Sequence, residues 1–291
     1  MKFSPLLPDG PPLEPRVEAS RARFASLLEG AHGRGEAQLA LGAFPTLDGA
    51  PRRSVIDLHW SGALAPACFG RLERAIADGW LAGARVTAGE TRVPAKIGDP
   101  TPWIRGGDGL PLRLAPGGFG QASDEGNAML ALRVAEHARE ALAGRSDARV
   151  LELYAGAGNF TVLLASLAQQ QLVAVESARE SCDAARANLV ARGVADRARV
   201  VEADAGAFAI PPRTHLVILD PPRTGARELC GRIAASSAKH VVYVSCDTQT
   251  LARDLALLSE SFVPHAVDAL ELFPQTSHVE AVVHLERRRR E

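Results

Sequence analysis

Two residues far apart in the chain, Cys246 and Glu280, are of the types that perform covalent addition and proton removal. Cys246 closes a run of β-formers, VVYVSC, and Glu280 lies near the start of the final such run, HVEAVVHLE. A thiolate is a strong nucleophile and a carboxylate a competent base, so the pair could add to one planar acceptor and then deprotonate it. If the last run is antiparallel and inserted beside the run ending at Cys246, both side chains reach the same sheet edge. His278 shares the pleat face of Glu280 and is expected to support it by hydrogen bonding. The other cysteines, Cys68, Cys182 and Cys230, are widely spaced and are expected to be packed thiols.

A second group of residues has the types needed to hold a nucleoside. LELYAGAGNF, residues 151 to 160, reads as a strand, a glycine loop and a helix start. Gly156 and Gly158 permit a tight turn and a close approach of backbone to ligand. Thr161 stands where a dinucleotide fingerprint would have its third glycine, so a phosphate cradle is disfavoured. The following runs end in Glu176, suited to ribose hydroxyls, in Asp204, suited to an adenine amino group, and in the DPPR of Asp220 to Arg223. Ligands of open α/β sheets bind beyond the carboxyl ends of the strands, where Tyr154, Glu176, Asp204, Asp220 and Cys246 all fall. S-adenosylmethionine (SAM) has the ribose and adenine these residues suit, and no phosphate.

The elements that must position these residues are regular after Gly120. SDEGNAMLALRVAEHAREALAG has the spacing of a long amphipathic helix, with Ser123 or Asp124 as N-cap. Seven β-rich runs follow: ARVLELYAG, QQLVAVES, RARVVEAD, THLVILDPP, KHVVYVSC, VPHAVDALELF and HVEAVVHLE. Helical segments separate the first six, except for the short AGAFAIPPR before the fourth. Runs apolar on both faces suit parallel strands covered by helices. The PQTS link before the last run is too short for a crossover and predicts an antiparallel hairpin. The sequence therefore predicts an α/β domain over 118–291, with a seven-stranded, mostly parallel sheet ending in that hairpin. This is the layout of the class I SAM-dependent, Rossmann-like methyltransferases. Residues 1–117 predict a smaller α+β domain. It has an irregular proline-rich start, a helix over 17–30, strands at AQLALGAF and RRSVIDLHW, a helix at FGRLERAIADGWL and a strand at GLPLRLAPGGFG.

At this point the C-terminal half resembles the RNA uracil-C5 methyltransferases, which form 5-methyluracil in transfer or ribosomal RNA. GFGQAS, LELYAGAGNF, DPPRTG, YVSCDTQTLARDL and FPQTSHVE occur in order over about residues 95 to 286. The resemblance implies Cys246 as nucleophile adding to uracil C6, Glu280 as the base that removes the C5 proton, and SAM as methyl donor. It also implies Gln121, Tyr154, Asn159, Glu176, Asp204 and Asp220 as SAM-site residues. The chain departs from the family pattern at Gly120 and Ser123, and at Asp247 and Thr248, where relatives usually have Asn-Pro after the cysteine. A negative charge at Asp247 is expected to oppose ionisation of the neighbouring thiol. Other readings are a SAM-dependent enzyme with a nitrogen or non-RNA acceptor, and a noncatalytic SAM- or RNA-binding relative.

Composition narrows the classes further. The 291 residues carry a net charge of -1, so any RNA contact must use local patches. Arg52, Arg53, Arg71, Arg74, Arg85 and Arg92 make the first domain a candidate RNA platform, and the terminal ERRRRE reads as a solvated tail. The 4 cysteines lack any CxxC pair, so neither a metal site nor an iron–sulfur cluster is expected, and a reducing cytoplasm is. An extra N-terminal RNA-binding barrel is not expected, and no run is long and apolar enough to span a membrane.

Overall fold

The computed structural model describes residues 15–45, 51–89, 93–121, 123–145, 147–167, 171–272 and 279–289. It divides into two units: residues up to Ile104 with Arg113–Phe119, and Arg105–Leu112 with Gly120–Glu291.

In the first unit, α1 (Pro15–Leu27) precedes a four-stranded sheet of β1 (His32–Leu41), β2 (Ser54–Ala63), β3 (Leu81–Ala88) and β4 (Ala95–Gly98), in that spatial order. The pairs are antiparallel except β2 with β3, which are parallel and joined by α2 (Pro66–Ala77). Phe24, Leu27, Ile56, Leu58, Leu72, Leu81 and Val86 fill the core. The spacing predicts that α2 continues through Leu81, but the helix stops before Gly79, whose φ of 81° is left-handed, and Leu81 opens β3. Three of the arginines named above make contacts within this unit. Arg52 donates to the carbonyls of Gly42 and Trp103, Arg71 to those of Leu27 and Glu29, and Arg85 pairs with the buried Asp57. Arg92 lies outside the described residues. The short strands β5 (Trp103–Arg105) and β6 (Pro111–Arg113) form a ribbon, so GLPLRLAPGGFG is strand over only three residues.

The second unit opens with α3 (Asp124–Ala141), capped by Ser123, whose hydroxyl accepts from the Gly126 amide at 2.9 Å. The strands are β7 (Arg149–Leu153), β8 (Gln171–Glu176), β9 (Ala198–Glu202), β10 (Thr214–Leu219), β11 (His240–Ser245), β12 (Phe262–Leu270) and β13 (Glu280–Arg287). Between them run α4 (Asn159–Leu167), α5 (Arg179–Ala191), α6 (Arg227–Ala235) and α7 (Thr248–Leu258). The sheet order is β12-β13-β11-β10-β7-β8-β9, and only the pairs involving β13 are antiparallel. This is the predicted topology, with β13 inserted between β12 and β11. The PQTS link and His278 lie outside the described residues.

Alternation divides the sheet's two faces. Leu151, Leu153, Val217, Leu219, Val241, Tyr243, Val283 and Leu285 pack with Leu229, Ile233, Leu251 and Leu258 of α6 and α7. The side chains between them along each strand face the other way. Cys182 and Cys230 are buried in their helices, and Cys68 is buried in the first unit, as their neighbours predict. The start of the supposed tail is structural. Arg287 belongs to β13, stacks on Phe262 and donates to the carbonyls of Ile233, Ala234 and Ser236, capping the end of α6.

Candidate active site

Register alone brings the two proposed reactive residues together. The β11–β13 ladder ends with Ser245 opposite Ala281, so the next positions along each chain, Cys246 and Glu280, face one another. Glu280 is buried and Cys246 partly so. Burial raises the Cys246 thiol above the ordinary cysteine value, the Glu280 carboxyl raises it further, and a hydrogen bond with the Arg223 guanidinium lowers it. Burial also raises Glu280, against the pull of Arg223. Asp220, just past β10, is pushed by burial and by the charge of Glu280 up to about 7. One arginine thus stands among a thiol and two acids. It favours the ionised forms of Cys246 and Glu280, the forms that addition and proton removal require.

Asp247 does not act on the sulfur as the sequence suggested. Its carboxylate is turned to the start of α7 and accepts from the Thr250 amide at 2.8 Å and the Thr250 hydroxyl at 3.0 Å. These bonds hold its pKa below the ordinary aspartate value. The charges that govern Cys246 are those of Glu280, Arg223 and Asp220.

The loop carrying Asp220 and Arg223 is held from beneath by residues that the sequence reading missed. Asp254 of α7 is wholly buried and accepts from the Tyr243 hydroxyl at 2.7 Å and the Ala226 amide at 2.6 Å. Arg253 donates to the other Asp254 oxygen and to the Thr224 carbonyl. A Cβ on Gly225 (φ 72°) would stand 2.5 Å from both Arg253 and Asp254, so only glycine fits there. One signal was legible: Asp254 interrupts the buried stripe of Leu251 and Leu258 on α7.

The proposed cofactor residues lie along the same edge with unequal freedom. Tyr154 is half-buried and in the left-handed region at φ 63°, a conformation that costs a non-glycine residue and concentrates at functional sites. Gly156, at φ 55°, has open space where a Cβ would lie. Glu176 accepts from the Gly156 amide at 2.9 Å and the Ala178 amide at 2.8 Å, which ties the glycine loop to the end of β8. Asp204 uses one oxygen for the Gly206 amide. Gly158 packs against Ala185 of α5. Asn159 exchanges amide hydrogen bonds with Asn127 of α3, at 2.8 and 3.1 Å, so its side chain joins two helices. Gln121 has a buried Oε1 without a partner among the described residues.

Glu152 of β7 was not singled out, although an acid within an apolar strand is itself a signal. It is 1% exposed, and neither carboxyl oxygen has a partner among the described residues. Burial pushes it up to about 8, with the nearby Thr161 opposing the rise and Asp220 adding to it. Glu152 feels the charge of Asp220, and Asp220 that of Glu280, so three acids gather here, an arrangement that fits a ligand carrying positive charge. A cleft of about 680 Å³ does not coincide with this site; Arg149, Gln171, Arg197 and Thr214, toward the amino ends of the strands, line it.

The family described as tRNA (Uracil-5-)-methyltransferase matches residues 117–210 and 199–288. A 23S rRNA (uracil(1939)-C(5))-methyltransferase RlmD from Pseudomonas entomophila is 38% identical over 187 residues, covering 62% of this chain and 39% of that protein. Its namesake from Pseudomonas putida is 40% identical over 179 residues, covering 60% and 38%. The chain thus spans about two fifths of the length of these relatives. The crystal structure of Pyrococcus abyssi tRNA (uracil-54, C5)-methyltransferase in complex with S-adenosyl-L-homocysteine superposes with a TM-score of 0.62 at 23% identity. The match covers 80% of this chain and 56% of that one, and it shows a shared class I methyltransferase fold. With matched segments reaching from the helix before β7 to the last strand, the chain belongs to the tRNA (uracil-5-)-methyltransferase family.

Proposed function

We propose that the protein methylates C5 of a uracil in structured RNA, transfer or ribosomal, through a covalent bond from Cys246 to C6. The observation that carries this reading is the placement of Cys246 opposite Glu280 in the β11–β13 register, with the Arg223 guanidinium favouring the thiolate. SAM, when bound, supplies an electrophilic methyl group. Tyr154, Glu176, Asp204, Asp220, Gln121 and the Gly156 loop are the residues that would hold it.

The chain's own residues account for the remaining steps. Arg223 stabilises the Cys246 thiolate, whose sulfur adds to C6 and places electron density on C5 and O4 of the ring. After C5 has gained its methyl group, the Glu280 carboxylate takes the C5 proton. The electron pair of that C–H bond re-forms the C5–C6 double bond and expels the sulfur as thiolate. Burial excludes water from Glu280 and preserves its basicity toward carbon.

RNA containing 5-fluorouracil tests the scheme, because fluorine at C5 leaves no proton for Glu280 to remove. The expected result is a protein–RNA adduct that survives denaturation and is absent in Cys246→Ala. Methyl transfer to RNA retained in full by Cys246→Ala would overturn the mechanism.

A further inference from the structure

The face of the sheet covered by α3 holds five of the chain's 8 histidines in one cluster. His215 of β10, His240 of β11, His284 of β13, His137 of α3 and His265 of β12 stack with ring centroids 4.8 to 5.3 Å apart. Two acids close the group. Asp268 lies 2.6 Å from His137 Nε2, and Glu140 lies 2.8 Å from His265 Nε2. None of these residues takes part in the proposed methyl transfer.

The geometry points to a binding site for a divalent transition-metal ion, zinc by preference, formed by His137, Glu140 and His284. One ligand atom from each lies within 4.8 Å of the others. His284 is 1% exposed, and its Nδ1 makes no hydrogen bond among the described residues, lying 3.9 Å from the Glu140 carboxylate. Its Nε2 is engaged, 3.1 Å from His240 Nδ1, which fixes the ring. The Asp268 carboxylate fixes the His137 ring, as carboxylates do behind metal-bound imidazoles.

The donor set is two imidazoles and a carboxylate, which suits zinc and its first-row neighbours better than the oxygen-preferring calcium or magnesium. Glu140 is exposed, with one carboxylate oxygen 2.8 Å from His265 Nε2 and the other 3.9 Å from His284 Nδ1, so its second oxygen already faces the group. His265 is available as a fourth ligand. The β12–β13 register shifts between Pro264 and Ala266, and the extra residue, His265, reaches Glu140 through that bulge. A bound ion would join α3 to β13 and, through His265, to β12.

The test is titration of the untagged full chain, freed of metal by chelation, with zinc sulfate against a chromophoric chelator. The expected result is one zinc per chain with a rise in Tm, and cobalt(II) giving the intense visible bands of four-coordinate nitrogen–oxygen ligation. Glu140→Gln and His137→Asn should each weaken binding at least about tenfold. Glu140 is exposed, so its variant remains informative if His137→Asn fails to fold. Cys246→Ser should bind zinc as the parent does, since the thiol lies at the other end of the strands. Absence of binding, equal affinity in Glu140→Gln, or loss of binding in Cys246→Ser would overturn the site.

Discussion

β11 and β13 carry ionisable groups at both ends of one ladder, on the same pleat face. Cys246 and Glu280 close one end, and His240 and His284 lie toward the other. The backbone is the same, so the neighbours decide the chemistry. At the first end the loop after β10 adds one acid, Asp220, and a single arginine, Arg223, to the Cys246 thiol and the Glu280 carboxyl. At the second end α3 and β12 bring two further imidazoles, His137 and His265, against those of His240 and His284. The first end asks for a cationic cofactor and an electrophilic ring, and the second for a metal ion.

Substitutions should separate the two ends by measured effects. Cys246→Ala is expected to cut methyl transfer on the order of 10⁴-fold or more, as loss of a nucleophile does, read by methyl incorporation into RNA. Glu140→Gln should leave that rate within about twofold, a charge change at the far end having little reach through screening solvent. A comparable loss in both would erase the contrast. Glu280→Gln should lower turnover roughly 10²- to 10⁴-fold and let the adduct accumulate on unmodified uracil RNA. Release of tritium from 5-tritiated uracil should fall in parallel.

The rate before saturation should rise with pH toward a thiol pKa above the ordinary value, because burial and Glu280 both disfavour the thiolate. Arg223→Gln should move that limb up by about one pH unit, removing the charge that favours ionisation. Asp254→Ala is expected to cost roughly 3–5 kcal/mol in urea unfolding, since it leaves buried donors and Arg253 without their acceptor. Asp247→Ala should show the smallest effect, a modest loss of stability with the pH limb unmoved. A shift of the limb in that variant would restore Asp247 as a charge felt by the sulfur.

The order of strands, the inserted hairpin and the Cys246–Glu280 pairing were legible because period-2 runs, crossover lengths and strand ends are local properties of the sequence. The first unit was less legible. β3 follows α2 after only a short turn, so its apolar residues continued the helical spacing until Gly79 broke it. Asp254 and Glu152 were hidden for another reason. Each acid occupies a position that pattern reading assigns to an apolar side chain, and only their neighbours in space reveal why. The histidine cluster draws on α3, β10, β11, β12 and β13, so no spacing in the chain announces it. Metal sites of the CxxC kind are written in sequence, whereas one assembled across a sheet is not.

The bulge at Pro264–Ala266 has a bearing on solubility. β12 is an edge of the seven-stranded sheet, and a straight edge strand is a template for pairing with another chain. Pro264 removes one amide donor from that edge, and the extra residue kinks the ladder where His265 turns toward Glu140. The same irregularity that gathers the imidazoles therefore also guards the sheet against edge-to-edge aggregation. Straightening it by deletion of His265 would expose a continuous pairing edge.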